Sequence, residues 1–175
     1  SWITGATAST ISANSGTLVR SGYTFAGWNT AANGSGTDFA ATGSATYGST
    51  ADITLYAKWS ANGITITYKA DYSGPTDITE TKTADSAFNL RANTFTRPGY
   101  TFAGWATTTG GSVAKTDGAS VTVLADTSYF AVWTAIKYHV TYNGNSNTAG
   151  SVPTDSADYL NGGSITVKDN SGVLS

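Results

Sequence analysis

Ile64-Thr65-Ile66-Thr67-Tyr68 alternates apolar and polar side chains with a period of two. That spacing puts Ile64, Ile66 and Tyr68 on one face of a strand and Thr65 and Thr67 on the other. Ser164-Ile165-Thr166-Val167-Lys168 has the same pattern and predicts a second such strand. Asp126 to Trp133 alternates less cleanly but is strand-like in composition. Gly22 and Gly99 are expected in turns leading into strands, and Pro98 suits such a turn because its φ is preset. Asn33-Gly34 and Asn143-Gly144 are hairpin-type turn signals. Helical signals are scant; Pro153 to Tyr159, with proline at its start, predicts at most a turn or two of helix.

These elements recur. Arg20-Ser21-Gly22-Tyr23-Thr24-Phe25-Ala26-Gly27-Trp28 returns as Arg97-Pro98-Gly99-Tyr100-Thr101-Phe102-Ala103-Gly104-Trp105, identical at eight of nine positions. Each copy leads through a Gly-Ser turn (Gly34-Ser35, Gly111-Ser112) to a closing aromatic strand, Leu55 to Trp59 or Tyr129 to Trp133. A short linker and a new opening strand follow each closer, at Ile64 to Tyr68 and at Tyr138 to Tyr142. The period of about 75 residues defines a complete unit at 62–136, flanked by a partial unit at 1–61 and another at 137–175. The first has the motif and closer without an opening strand, and the last has the opening part without motif or closer. Trp2 to Val19 aligns without gaps on Asp158 to Ser175, so both ends fall in one segment of the repeat.

Composition narrows the function. Charged residues make up 11%, against about 25% in an average soluble protein, and five Trp, ten Tyr and six Phe supply core-building bulk. Nine Lys and Arg are spread thinly over a chain of net charge −2, so no basic cluster exists to neutralise phosphates, which argues against a nucleic-acid role. No apolar run approaches the roughly 20 residues that span a bilayer as a helix. Cysteine is absent, which rules out disulfides without fixing a compartment. Met is absent even at position 1, so a processed product or a piece of a longer protein is expected, with any signal peptide outside it.

Candidate chemistry is thin. His139 is the lone histidine, and with no Cys and scattered acids no transition-metal set is visible. A Ser-His-Asp arrangement would need His139, whose counterpart in the complete unit is Thr65, so His139 reads as a solvent-facing strand residue. Asn33 to Asp38 resembles an oxygen-rich calcium loop, but the matching Gly110 to Lys115 lacks carboxylates. Asn161-Gly162-Gly163 lacks the Lys and helix of a phosphate loop and reads as a turn. Lys69 and Lys82, with Asp71, Asp77 and Glu80 nearby in sequence, are the residues a Lys–Asp or Lys–Asn crosslink would use. No catalytic, metal-binding or cofactor-binding residue is predicted. The aromatics at matched places, Tyr23, Phe25, Trp28, Tyr56, Trp59, Tyr100, Phe102, Trp105, Phe130 and Trp133, are expected to fill small cores. The competing reading gives some of them to a sugar-stacking platform.

Gly-Tyr-Thr-Phe-Ala-Gly-Trp, the Gly-Ser turn, Leu55-Tyr56-Ala57-Lys58-Trp59 and the opening Val140-Thr141-Tyr142-Asn143-Gly144-Asn145 resemble the internalin-type B repeat, also called the Listeria–Bacteroides repeat. The resemblance implies tandem, mainly β, β-grasp-like modules of secreted or surface-anchored bacterial proteins, with little helix. Their roles are those of stalks, spacers or adhesion modules, without catalytic residues. The partners it implies are neighbouring repeats or copies of the chain itself, with a cell-surface glycan or protein as the alternative. A sharper expectation comes from the partial ends. The carboxy-terminal part of one chain would complete a module with the amino-terminal part of the next, propagating head to tail into a filament. The overlapping end segments would then compete for one place.

Overall fold

A type II turn precedes each motif strand. Gly22 and Gly99 hold φ of 79° and 77°, and the amides of Tyr23 and Tyr100 donate to Arg20 O and Arg97 O at 3.0 Å. That φ at the third turn position favours glycine, and Pro98 occupies the second position, where proline fits. The computed structural model describes residues 9–11, 13–45, 52–170 and 172, with backbone alone for 9–11 and 43–45. The strands in chain order are β1 (Ser9–Ile11), β2 (Tyr23–Asn29), β3 (Asp38–Phe39), β4 (Gly43–Ala45), β5 (Tyr56–Ala61), β6 (Gly63–Lys69) and β7 (Ile78–Thr83). After them come β8 (Phe88–Asn89), β9 (Tyr100–Ala106), β10 (Ser120–Val121), β11 (Thr127–Ala135), β12 (Lys137–Tyr138) and β13 (Tyr159–Leu160). No helix occurs among the described residues. The protein is mainly β.

The strands form small sheets: β3-β2-β5, β7-β6-β11-β9, and the pairs β1-β4, β8-β10 and β12-β13. The two motif strands share one irregularity. On β2, Phe25 faces Trp59 and Gly27 faces Lys58, leaving Ala26 as an extra, exposed residue; on β9, Phe102 faces Trp133 and Gly104 faces Val132, leaving Ala103. A regular strand would send Phe25 and Trp28, three positions apart, to opposite faces. The bulge inserts one residue and returns both rings to the same face. Their centroids lie 5.1 Å apart, edge to face, and those of Phe102 and Trp105 lie 5.0 Å apart. The closing tryptophans complete each trio, Trp59 at 5.7 Å from Phe25 and Trp133 at 5.8 Å from Phe102.

Every buried hydrophobic side chain among the described residues falls within 62–136: Ile64, Ile66 and Tyr68 of β6, Leu90, Phe95, Trp105, Val121, Tyr129 and four alanines. The alternation read in β6 thus matches its burial. Apart from Val113 and Leu124, the exposed large hydrophobics lie before residue 62 or after 136. Three expectations fail there. Of the opening segment at 138–142, only Tyr138 joins a strand. Ser164 to Lys168 forms no strand, and Ile165 and Val167 stand exposed. Pro153 to Tyr159 forms no helix: the Asp155 carboxylate accepts from its own chain at Ala157 N (3.0 Å) and from the Tyr159 hydroxyl (2.6 Å), an Asx-type arrangement that competes with helix. Period-two patterning needs a second layer to cover its apolar face, and none lies over these segments among the described residues. Asn143-Gly144 sits one step from its turn, whose positive-φ residues are Asn145 and Ser146, closed by Asn147 N to Gly144 O at 3.1 Å.

The chain divides into two compact units: Ser1–Thr67 with Ile78–Leu90 and Ser120–Ser128, and Tyr68–Asp77 with Arg91–Ala119 and Tyr129–Ser175. Within the first, the turn before β2 meets the loop after β7. Tyr23 Oη donates to Asp85 at 2.7 Å, Arg20 lies 3.7 Å from the same carboxylate, and the Ala84 amide donates to Asn62 O at 2.9 Å. A Cβ on Gly22 would stand 3.1 Å from Ala84 Cβ and 3.0 Å from Leu124 O. Within the second, the equivalent Gly99 abuts Asn161, whose Cβ would lie 2.3 Å from a Cβ placed there. In both, the residue after the closing strand returns to the turn, Asn62 N to Gly22 O at 2.9 Å and Ile136 N to Gly99 O at 2.8 Å.

Candidate functional site

The aromatic residues singled out from the sequence have unequal surroundings. Trp105 is 1% exposed, ringed by Tyr68, Phe95 and Phe102, and its indole N–H donates to Asp117 at 3.2 Å. Trp133 is half-buried and donates to Ala70 O at 2.7 Å, with Tyr72 against its ring. Tyr23, Phe25, Trp28, Trp59, Tyr100, Phe102 and Phe130 are likewise half-buried. Tyr56 is a surface residue at 41% exposure, on β5, which is the edge strand of its sheet among the described residues. Sequence reasoning missed the ring-to-cation stacking at the motif's start: Arg20 lies 3.7 Å from the Tyr23 centroid and Arg97 lies 3.9 Å from that of Tyr100. The arginine is among the eight identical positions, so the signal was present without its reason.

Beside Trp59 a cleft of about 420 Å³ is lined by Arg20, Asn29, Asn33, Ala57 and Lys58. Its polar groups are committed. Lys58 pairs with Asp38, whose carboxyl is held below the usual range first by that lysine and then by Asn29. Asn29, 2% exposed, holds the whole β2–β3 loop. Its amide group donates to Asp38 at 2.6 Å and to Gly34 O and Gly36 O at 3.2 Å, while its oxygen accepts from Ala31 N at 2.7 Å and Gly36 N at 3.1 Å. Sequence comparison could not find this hub, since the second copy has Ala106 there and closes its loop through Trp105, which exchanges backbone bonds with Lys115 at 2.8 and 3.0 Å. Asn29→Ala is expected to cost about 1–3 kcal/mol, the penalty for leaving buried partners unsatisfied. Hydrogen exchange would show it as lost protection at the Ala31 and Gly36 amides, with the Ile66 amide unchanged.

The remaining candidates do not converge on chemistry. The Asn33–Asp38 loop is a hairpin turn, closed by Gly34 N to Ala31 O at 3.0 Å, with its Asp38 carboxylate taken by Lys58 and Asn29. No group of three or more metal-ligating side chains occurs among the described residues. His139 is exposed, 3.6 Å from Asp158, and lies just outside β12. Asn161-Gly162-Gly163 is a turn, with Gly163 N donating to Leu160 O at 2.9 Å. Lys69 pairs with Asp77 and Lys82 with Glu80 at 3.0 Å, all partly exposed, whereas amide crosslinking requires neutral, buried partners. Trp2 lies outside the described residues.

Asp155 and Tyr159 give the clearest titration. Their mutual hydrogen bond is the main cause of both shifts: Asp155 is held below the usual carboxylate range, and the Tyr159 phenol is pushed up to about 12. Asp155 therefore favours the fold above its ordinary pKa, and this contribution disappears as pH falls through the lower folded value. Tyr159 favours it fully below about 10, and the contribution disappears as pH rises through about 12. In an ultraviolet phenolate titration, Asp155→Asn is expected to move one of the ten tyrosines down towards an ordinary pKa.

The chain is 40% identical over 107 residues to a protein of Evansella cellulosilytica described as a Gly-rich membrane protein. The match covers 57% of this chain and 12% of that protein, so the chain spans a small part of its relative's length. No helix among the described residues is long and apolar enough to cross a membrane. No solved structure matches. The profile of the Listeria-Bacteroides repeat domain matches twice, over residues 3–58 and 65–132, and the chain belongs to that family as a tandem array.

Proposed function

We propose that the chain is a segment of an extracellular surface stalk or spacer, a scaffold rather than an enzyme. It is built of grasp-like modules of about 75 residues that meet near residues 62 and 137. The supporting observation is the recurrence of one junction: the Gly22 turn meets the loop at Ala84, and the Gly99 turn meets the loop at Asn161, each closed by the residue that follows a closing strand. A nearest-neighbour contact that repeats with the sequence lets length grow by adding copies, which is what a spacer requires. The family membership and the membrane-protein description of the relative support a surface location.

Antibodies against this chain are expected to label intact cells of the producing bacterium and to lose that label after brief external proteolysis. Labelling only after lysis would refute the surface role. The cleft beside the half-buried Trp59 favours one second reading, an adhesin module stacking a sugar on that indole. Saturable glycan binding that Trp59→Ala abolishes without unfolding the chain would establish it in place of the stalk.

A further inference from the structure

The turn that receives each junction recurs with one chemical difference. Thr83 to Ser86 is closed by Ser86 N donating to Thr83 O at 3.4 Å, and Leu160 to Gly163 by Gly163 N donating to Leu160 O at 2.9 Å. The second residues of the two turns, Ala84 and Asn161, are the ones that abut Gly22 and Gly99. The third residues, Asp85 and Gly162, hold φ of 60° and 75°. Aspartate tolerates that left-handed backbone better than most side chains, so both residues suit the place. Only the first carries a charge.

The turns that dock there match more closely. Arg20 stacks on Tyr23 at 3.7 Å and Arg97 on Tyr100 at 3.9 Å, so each junction receives a guanidinium and a phenol from the preceding repeat. At the first, both meet Asp85: the Tyr23 hydroxyl donates to it at 2.7 Å, and Arg20 lies 3.7 Å away. That hydrogen bond is the leading reason the Tyr23 phenol is held above its ordinary pKa. Two backbone bonds run through the same contact, Ala84 N to Asn62 O and Asn62 N to Gly22 O, each at 2.9 Å. At the second, Gly162 offers no carboxylate, and a Cβ placed on it meets nothing within 4 Å. Room for a side chain exists there without the side chain.

We infer that the third residue of this turn sets how firmly a repeat holds the one before it. Asp85 latches the preceding repeat through Tyr23 and Arg20, and Gly162 leaves its joint unlatched. The latch is a charge-assisted hydrogen bond with an arginine beside it, added to a turn contact that both joints share. Its exposed setting keeps the gain modest. Joints of two strengths then follow from one position per repeat, and a stalk gains firm and yielding points with no change in its cores. The inference rests on the scaffold reading and adds what regulates its joints.

Amide hydrogen exchange on the 175-residue chain tests it with four variants. Asp85→Gly copies the second joint into the first. It is expected to speed exchange at Ala84 and Asn62 about 3- to 10-fold, the worth of one solvent-exposed hydrogen bond. Tyr23→Phe keeps the ring and removes the hydroxyl, and should speed the same two amides. The double variant should be no faster than Asp85→Gly alone, since both changes break one bond. Gly162→Asp is expected to slow exchange at Ile136, whose amide donates to Gly99 O, by a similar factor. Unchanged rates at Ile66 and Trp105 show that the complete repeat stays folded. The latch is overturned if Asp85→Gly leaves Ala84 and Asn62 at wild-type rates, or if Gly162→Asp leaves Ile136 unchanged. It is also overturned if the two single effects multiply in the double variant, or if Ile66 accelerates equally, because Asp85 would then support the fold and not the joint. A failed latch with antibodies still labelling intact cells leaves the stalk reading standing. Absence of surface label removes that reading whatever the rates.

Discussion

Trp105→Ala is expected to destabilise the complete repeat by about 3–5 kcal/mol, the cost of truncating a fully buried tryptophan. The indole is 1% exposed and touches the rings of Tyr68, Phe95 and Phe102, so removing it opens a cavity bounded by three aromatics that cannot easily close together. Burying about 200 Å² of indole at about 25 cal/mol per Å² gives about 5 kcal/mol, an upper figure because the unfolded chain already hides part of that area. The lost N–H bond adds little. Asp117 keeps the Asn93 amide at 3.0 Å, so its carboxylate is not stranded. For a module of this size the loss corresponds to a fall in Tm of more than about 12 °C, within reach of outright unfolding. Thermal unfolding followed by circular dichroism measures it. Trp28→Ala should cost clearly less, since Trp28 is only half-buried. Equal costs for the two would mean that burial does not govern these sites.

That inequality marks what could be read from the sequence and what could not. The motif copies match at eight of nine positions, which was enough to identify the repeat, the turns at Gly22 and Gly99 and the β6 alternation. Identity between copies does not carry environment. Trp28 and Trp105 sit on the same bulge in the same trio, yet Tyr68, which packs edge to face against Trp105 and receives the Arg91 amide at 3.0 Å, comes from the opening strand of its own repeat. The segment before Trp28 supplies no such described strand. Ile165 and Val167, patterned as a strand, likewise lie exposed outside any strand, and Tyr56 is at the surface. A period-two pattern specifies a face and says nothing of what covers it. The Asn29 hub was hidden for the opposite reason. It occurs once, and comparison between copies rewards only what recurs.

Gly27→Ala is the other large effect, and it isolates the bulge from the aromatic core. Gly27 has φ of 125°, a region L residues rarely adopt, and a Cβ there would stand 2.2 Å from Phe39 O on the neighbouring β3 backbone. Strain of about 1–3 kcal/mol and a clash costing about 1–3 kcal/mol combine to about 2–6 kcal/mol, towards the upper end because the obstacle is backbone. Gly104→Ala meets a softer obstacle: φ is 146°, the nearest atom is Val113 Cγ1 at 2.6 Å on an exposed side chain that can turn away, and Lys115 O stands at 2.8 Å. Its cost should therefore be smaller, about 2–3 kcal/mol. The order Gly27→Ala above Gly104→Ala, opposite to the order for the two tryptophans, separates backbone crowding from burial in the same motif. Urea unfolding of the four single variants reads both orders. If both glycine variants unfold like the wild type, the bulge is not what brings Phe25 to Trp28 and Phe102 to Trp105. The shared Phe-Ala-Gly-Trp spacing would then need another physical cause.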